Sequence, residues 1–119
     1  MNTSTKTGNQ AENKAYQYLL KKGFTPITRN FNCRFGEIDL IMQDTESVIF
    51  VEVKFRTQHH FGSATEVITN QKQRKIIKTA HIFLQKNPHL YMKLCRFDTI
   101  SITPQTIQWI KNAFYDTKF

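Results

Sequence analysis

Little in this sequence suits an exported or membrane-embedded protein. It has two cysteines, Cys33 and Cys95, with no C-x-x-C pair and no histidine at zinc-ligand spacing. One disulfide could be drawn on paper, but reduced structural thiols, as in a cytosolic protein, are the expectation. No apolar run approaches the roughly 20 residues that cross a bilayer. Met1 to Gln10 is polar where a signal peptide would carry its apolar segment. A cytoplasmic protein with no membrane partner is therefore expected. Repeats are absent, and no linker is long enough to divide the 119 residues, a length that suits one domain with one core. Acid is scarce too: 17 Lys and Arg against 9 Asp and Glu leave a net charge of +8. Such a surplus favours a polyanionic partner, most simply nucleic acid, although basic charge also serves solubility alone.

What is present is enough for a folded globule, with 39% hydrophobic residues and ten phenylalanines. Residues 1–8, rich in Thr, Ser and Asn, read as a flexible leader, and 9–119 as the domain. A helix is expected from about Asn9 to Lys22, closed by Gly23. Ala15, Tyr16 and Leu19 form its apolar side, and Glu12 lies on that side as well. Phe24 to Arg29 reads as a short strand near an edge, because Pro26 removes a ladder donor. Asn30 to Phe35 reads as a loop or irregular extension. Two strands follow, Gly36 to Ile41 and Val48 to Lys54, joined by the polar turn Gln43 to Ser47. After a loop-rich stretch from Phe55 to Thr69, a second helix is expected from about Asn70 to Gln85. Thr69 or Asn70 would be its N-cap and Asn87-Pro88 its stop. Leu94 to Ile102 and Thr106 to Ile110 read as strands, and 111–119 as a short tail. This order predicts an α/β domain whose mixed sheet of four or five strands is flanked by two main helices.

The hairpin carries charge where burial is expected. Asp39, Glu52 and Lys54 sit among β-branched and aromatic residues, and charges are rarely buried without a partner or a metal. Side chains alternate faces along a strand, so Glu52 and Lys54 share one face, as do Glu37, Asp39 and Ile41. If Gln43 pairs with Val48 across a four-residue turn, Asp39 lies opposite Glu52 with Cβ atoms about 5 Å apart. Two carboxylates that close repel unless a cation lies between them. Hard oxygen donors suit Mg²⁺ or Mn²⁺ better than zinc, and the Val53 carbonyl could add one more. A metal there would polarise a phosphodiester and lower the pKa of a bound water. Lys54 would orient that water or stabilise developing negative charge. The alternative is a cross-strand salt bridge from Lys54 to Asp39 or Glu52 on a solvated face. An isolated E-x-K is weak evidence; an Asp on the paired strand ahead of it is stronger.

Basic residues surround this cluster in sequence. Arg56 faces the side of Lys54 if the strand continues, as a phosphate clamp would. Lys72, near the start of the second helix, is placed to reach a phosphate held by that terminus. Arg74, Lys75 and Lys78 lie on its polar face and would give sequence-independent backbone contacts, or simply be solvated. His59 and His60 fall in the loop and read as bystanders. Trp109 reads as core.

Taken together, these pieces resemble a known family. Gly8, Ala11-Glu12, Ala15, Leu19, Gly23, Arg29-Asn30 and Gly36 to Ile41 match it. So do Phe50 to Lys54, Arg56, Phe61-Gly62, Lys72, Arg96-Phe97-Asp98 and Asn112-Ala113-Phe114. The chain is similar over nearly everything after residue 7 to the YraN family of small bacterial proteins, within the PD-(D/E)xK nuclease superfamily. The resemblance implies a restriction-endonuclease-like three-layer α/β fold, similar to archaeal Holliday-junction resolvases. It implies Asp39 and Glu52 as ligands of Mg²⁺ or Mn²⁺, Lys54 as the catalytic lysine, and Glu12 as the helix acid that supports the metal site. DNA more than RNA, branched DNA included, is the implied substrate, and a homodimer is the implied assembly. The superfamily's Pro before the Asp is replaced by Ile38, a common departure. Glu37 ranks below Asp39 as an assisting acid. Asp98 matches the family pattern but reads more simply as a structural partner of Arg96 or Lys93. Two other classes stay open: a nuclease-like module that binds nucleic acid without cutting it, and a small basic structural or ribosome-associated protein.

Overall fold

Two helices and five strands follow one another in the expected order. In the computed structural model they are α1 (Thr3–Lys21), β1 (Thr25–Cys33), β2 (Gly36–Gln43), β3 (Ser47–Phe55), α2 (Asn70–Lys86), β4 (Leu94–Ile102) and β5 (Ile107–Phe114). The structure describes residues 3–56 and 68–115, with side chains from Gly8 onward. His59, His60, Phe61-Gly62 and the last four residues lie outside the described residues.

The strands form one sheet in the order β1-β2-β3-β4-β5. All neighbours are antiparallel except β3 and β4, which run parallel. A parallel pair needs a long crossover, and α2 lies in it. Helices cover both faces, so the central strand reads as the unbroken apolar run Val48 to Val51 rather than as an alternation. On one face Ala11, Ala15 and Leu19 of α1 pack against Leu40, Met42, Ile49, Val51, Ile100 and Ile102. On the other, Ile76, Ala80, Phe83 and Leu84 of α2 pack against Ile41, Val48, Phe50 and Phe97. The result is a three-layer α/β arrangement with a five-stranded mixed sheet, of the restriction-endonuclease-like type. Among the described residues no helix is long and apolar enough to cross a membrane.

Several boundaries differ from the sequence expectation. Helix α1 starts at Thr3 rather than Asn9, so residues 3–8 continue the helix where a leader was expected. Its end is as expected: Gly23 adopts φ +98°, open to glycine alone at no cost. Strand β1 runs on through Asn30 to Cys33, where a loop or irregular extension was expected, and β5 runs four residues beyond Ile110, from Lys111 to Phe114. Both strands pass through an asparagine at φ +53°, Asn30 and Asn112. Asparagine tolerates this left-handed conformation, so each strand kinks there instead of stopping.

The hairpin register agrees with the sequence argument. Asp44 Oδ1 accepts the backbone N–H groups of Glu46 at 3.0 Å and Ser47 at 2.7 Å. The Asp44 N–H donates to the Ser47 carbonyl at 3.0 Å. This closed turn fixes Gln43 opposite Val48, and the ladder then runs to Leu40 opposite Val51. Helix α2 is capped by Thr69, whose hydroxyl accepts from the Lys72 N–H at 3.2 Å.

Candidate active site

One step beyond Leu40 and Val51 the β2–β3 ladder ends, and Asp39 and Glu52 are the next residues in register. The alternation of faces breaks here. Leu40 and Met42 belong to the α1 cluster and Ile41 to the α2 cluster, yet Ile38 also joins the α2 cluster. Strict alternation would have placed Ile38 with Leu40. On β1, the pairs Arg29–Leu40 and Phe31–Ile38 put the kinked Asn30 across from Asp39. Strands β1 and β2 thus bend together and open a fork between β2 and β3. At the fork the Asp39 carboxylate replaces the missing ladder bond: its Oδ2 accepts the Val53 N–H at 2.8 Å.

The electrostatics of the fork are strained. Burial first and the Glu52 charge second push the Asp39 pKa up from 3.8 to about 7. The Val53 hydrogen bond opposes this, while Glu12 and Glu37 add smaller upward pushes. Among the described residues the Val53 N–H is the donor that reaches this carboxylate, and no cation is paired with it. Glu52 does have a cation: Lys72 Nζ lies 2.9 Å from its Oε1. Lys54 follows on the face of Glu52, its pKa lowered by burial and then by the charges of Arg56 and Lys72. Burial also raises the Glu12 pKa, with the Asn30 side chain and the Arg29 charge pulling it back down. Arg29 Nη2 lies 3.8 Å from Glu12 Oε1 and 2.9 Å from Asn13 Oδ1.

The structure therefore brings Asp39, Glu52 and Lys54 together, with Glu12 and the exposed Glu37 at the margin. The alternative salt bridge does not form as expected, because the partner of Glu52 is Lys72 rather than Lys54. Lys72, expected to face a phosphate, is turned to this acid instead. Arg56 donates its N–H to the Ile102 carbonyl at 2.8 Å, and its charge is felt at Lys54. Arg74 and Lys75 are exposed on α2. Two features escaped the sequence: the Lys72–Glu52 pair and the hydrogen bond by which the Val53 amide holds Asp39. Helix position gave a partial signal for the first; nothing in the residue pattern signalled the second.

The donor set fits a hard divalent cation. Among the described residues no group of three or more His, Cys, Asp or Glu forms a metal cage. Two carboxylates are, however, what Mg²⁺ takes from a protein when water and substrate phosphate complete its shell. A cation between Asp39 and Glu52 would relieve the repulsion that now raises the Asp39 pKa.

A second aspartate, this one fully buried, is arranged differently. Asp98, 1% exposed, accepts from Arg96 Nε and Nη2, each at 2.9 Å. It also accepts from Trp109 Nε1 at 2.9 Å and from the Asn112 N–H at 3.0 Å. It ties β4 to the kink of β5, as its structural assignment predicted. Lys93 bonds Gln43 and Asp44 instead.

A three-layer restriction-endonuclease-like fold with a carboxylate–lysine cluster at a strand fork defines the class of protein. The chain belongs to the UPF0102 family, the YraN family of the sequence comparison. The family model, described as "Uncharacterised protein family UPF0102", matches residues 11–102. A UPF0102 protein of Saccharophagus degradans is 50% identical over 108 residues, covering 91% of this chain and 92% of its own. One from Vibrio parahaemolyticus is 47% identical over 89% of each chain. Another, from Herminiimonas arsenicoxydans, is 44% identical over 89% of this chain and 84% of its own.

Proposed function

We propose that the protein is a Mg²⁺- or Mn²⁺-dependent nuclease that hydrolyses phosphodiester bonds in DNA, working in the cytoplasm. The observation that carries this is the Asp39–Glu52 pair: two carboxylates at a strand fork, one of which, among the described residues, is held by a backbone amide and paired with no cation. Evolution of a stable fold alone would remove such a pair, since a buried charge without a partner costs stability. Asp39 and Glu52 would hold the metal, which when bound supplies Lewis-acid polarisation of the phosphate and of a water. Lys54, two residues beyond Glu52 on the same face, donates to the attacking water or the phosphoryl oxygens. Burial that lowers its pKa also suits it to give and take a proton. Glu12 and Glu37 deepen the negative potential that draws the cation in. The +8 surface draws the polyanion.

The test is cleavage of duplex, single-stranded and branched DNA, and of RNA, by protein freed of contaminating nucleases. Cleavage should need Mg²⁺ or Mn²⁺ and fall at least about a hundredfold in Lys54→Ala and Asp39→Asn. No metal-dependent cleavage on any substrate would sink the proposal. The Lys72–Glu52 ion pair favours one rival, a binding module whose acid is already neutralised. Nucleic-acid binding that is indifferent to Mg²⁺ and unchanged in Glu52→Ala would establish that rival. A homodimer would let two sites address two strands of a branched substrate, and sedimentation of a monomer alone would remove it.

A further inference from the structure

We infer that the β1–β2 turn carries a stacking platform for an unpaired nucleotide, so that the strand reaching Asp39 and Glu52 is single-stranded at that point. The pair Cys33–Gly36 leaves Arg34 and Phe35 as the two turn residues. Two-residue hairpin turns select Asn, Asp and Gly for their backbone, so this Phe is not there for the turn geometry. Nor is it there for the core. Among the described residues Phe35 is the one phenylalanine that belongs to neither core cluster. Its half-buried ring instead carries two cations: Arg34 Cζ lies 4.8 Å and Lys78 Nζ 5.3 Å from the centroid. An aromatic ring outside the core and set among cations is a combination with which proteins bind unpaired bases.

The platform is fixed and continuous with the candidate active site. The Phe35 N–H donates to Cys33 Sγ at 3.4 Å, and that sulfur lies 3.6 Å from the Thr79 hydroxyl of α2. A Cβ on Gly36 would lie 3.5 Å from Thr79 Oγ1 and 3.6 Å from Lys75 Cβ, so the turn sits directly on the helix. Lys72, Lys75 and Lys78 recur every third residue along α2 and share a side. The first is on Glu52 and the last on Phe35, about 9 Å further along the axis at 1.5 Å per residue. A strand following this row places phosphates against the lysines and a base on the ring. A paired base would first have to be flipped out of its helix to stack there, at a cost that an unpaired base does not meet.

This inference rests on the proposed reading of the site as one for nucleic acid, but its test does not depend on cleavage. Binding of short labelled oligonucleotides, one single-stranded and one duplex, is measured in EDTA at fixed salt. Phe35→Leu keeps an apolar side chain over the turn and removes the aromatic face; Phe35→Tyr keeps the face. Phe35→Leu should weaken single-strand binding about tenfold and leave duplex binding within about twofold, and Phe35→Tyr should bind as the native protein does. Equal losses on both oligonucleotides, or no loss on either, would overturn it. A protein that binds selectively through Phe35 but never cuts would sink the nuclease reading alone.

Discussion

The molecule holds two aspartates in opposite ways, Asp98 buried and Asp39 partly buried. Asp98 is enclosed by a guanidinium, an indole and a backbone amide, all donating to it. Asp39 is held by one backbone amide and faced by three other acids. Both sit on central strands next to a kink at a left-handed asparagine. A carboxylate whose donors are complete contributes to the fold. One whose donors are incomplete, and whose charged form is opposed, is kept for something that arrives later.

The largest effect that separates them is on stability. Asp98→Ala leaves the Arg96 guanidinium, the Trp109 N–H and the Asn112 amide without their acceptor in a site closed to water. Removing one partner of a buried ion pair costs about 3–5 kcal/mol, and denaturant unfolding should show a loss of that order. A loss below about 1 kcal/mol would mean that water or another acceptor fills the gap, and the contrast would fail.

Asp39→Asn should move stability the other way. Asparagine keeps an oxygen for the Val53 N–H and removes the charge that burial and Glu52 oppose. The raised pKa fixes the sign: in the native protein this group's contribution is fully present below its unfolded value of 3.8. It is lost as pH rises through about 7. Asp39→Asn should therefore be more stable than the native protein at pH 8, by about 2 kcal/mol, and no more stable near pH 4. Thermal melts of both proteins across that range measure it. The same substitution should abolish Mn²⁺ binding by calorimetry. A variant less stable at pH 8 would show that the charge is welcome in the fold and that Asp39 is as structural as Asp98.

How much of this contrast was legible in the sequence depends on how local its causes are. The Asp39–Glu52 register followed from a polar turn and strict alternation back from it, and Asp44 makes that turn as its side chain allows. Gly23 and Thr69 were legible for the same reason, since each acts within its own helix end. The fork was not, because it needs Asn30 on one strand to kink opposite Asp39 on the next. The complete donor set of Asp98 was only half visible: Arg96 is two residues away, but Trp109 and Asn112 arrive from another strand. At both kinks the sheet used the tolerance of asparagine for positive φ to bend and continue, where the sequence suggested that the regular strand had ended. The early start of α1 at Thr3 went against a polar, Thr- and Ser-rich composition that favours neither helix nor strand.

The smallest effect lies in the cation paired with Glu52. Lys72 holds Glu52 from the solvent side, with its own side chain 50% exposed and that of Glu52 only 11%. Exposed ion pairs contribute no more than about 1 kcal/mol, so Lys72→Met, which keeps the apolar stem, should change unfolding stability by less than that. Its effect on metal should still be measurable, because Nζ sits on the oxygen a divalent cation would take. In the native protein the ion must displace the ammonium and enter beside its charge. In Lys72→Met neither obstacle remains, and Mn²⁺ should bind about fivefold more tightly, which is about 1 kcal/mol. Nucleic acid should produce part of the same change in the native protein, by drawing Lys72 away to a phosphate. If calorimetry instead shows weaker Mn²⁺ binding in Lys72→Met, the lysine supports the acid rather than guarding it. The difference between the two aspartates would then extend no further than Asp39 itself.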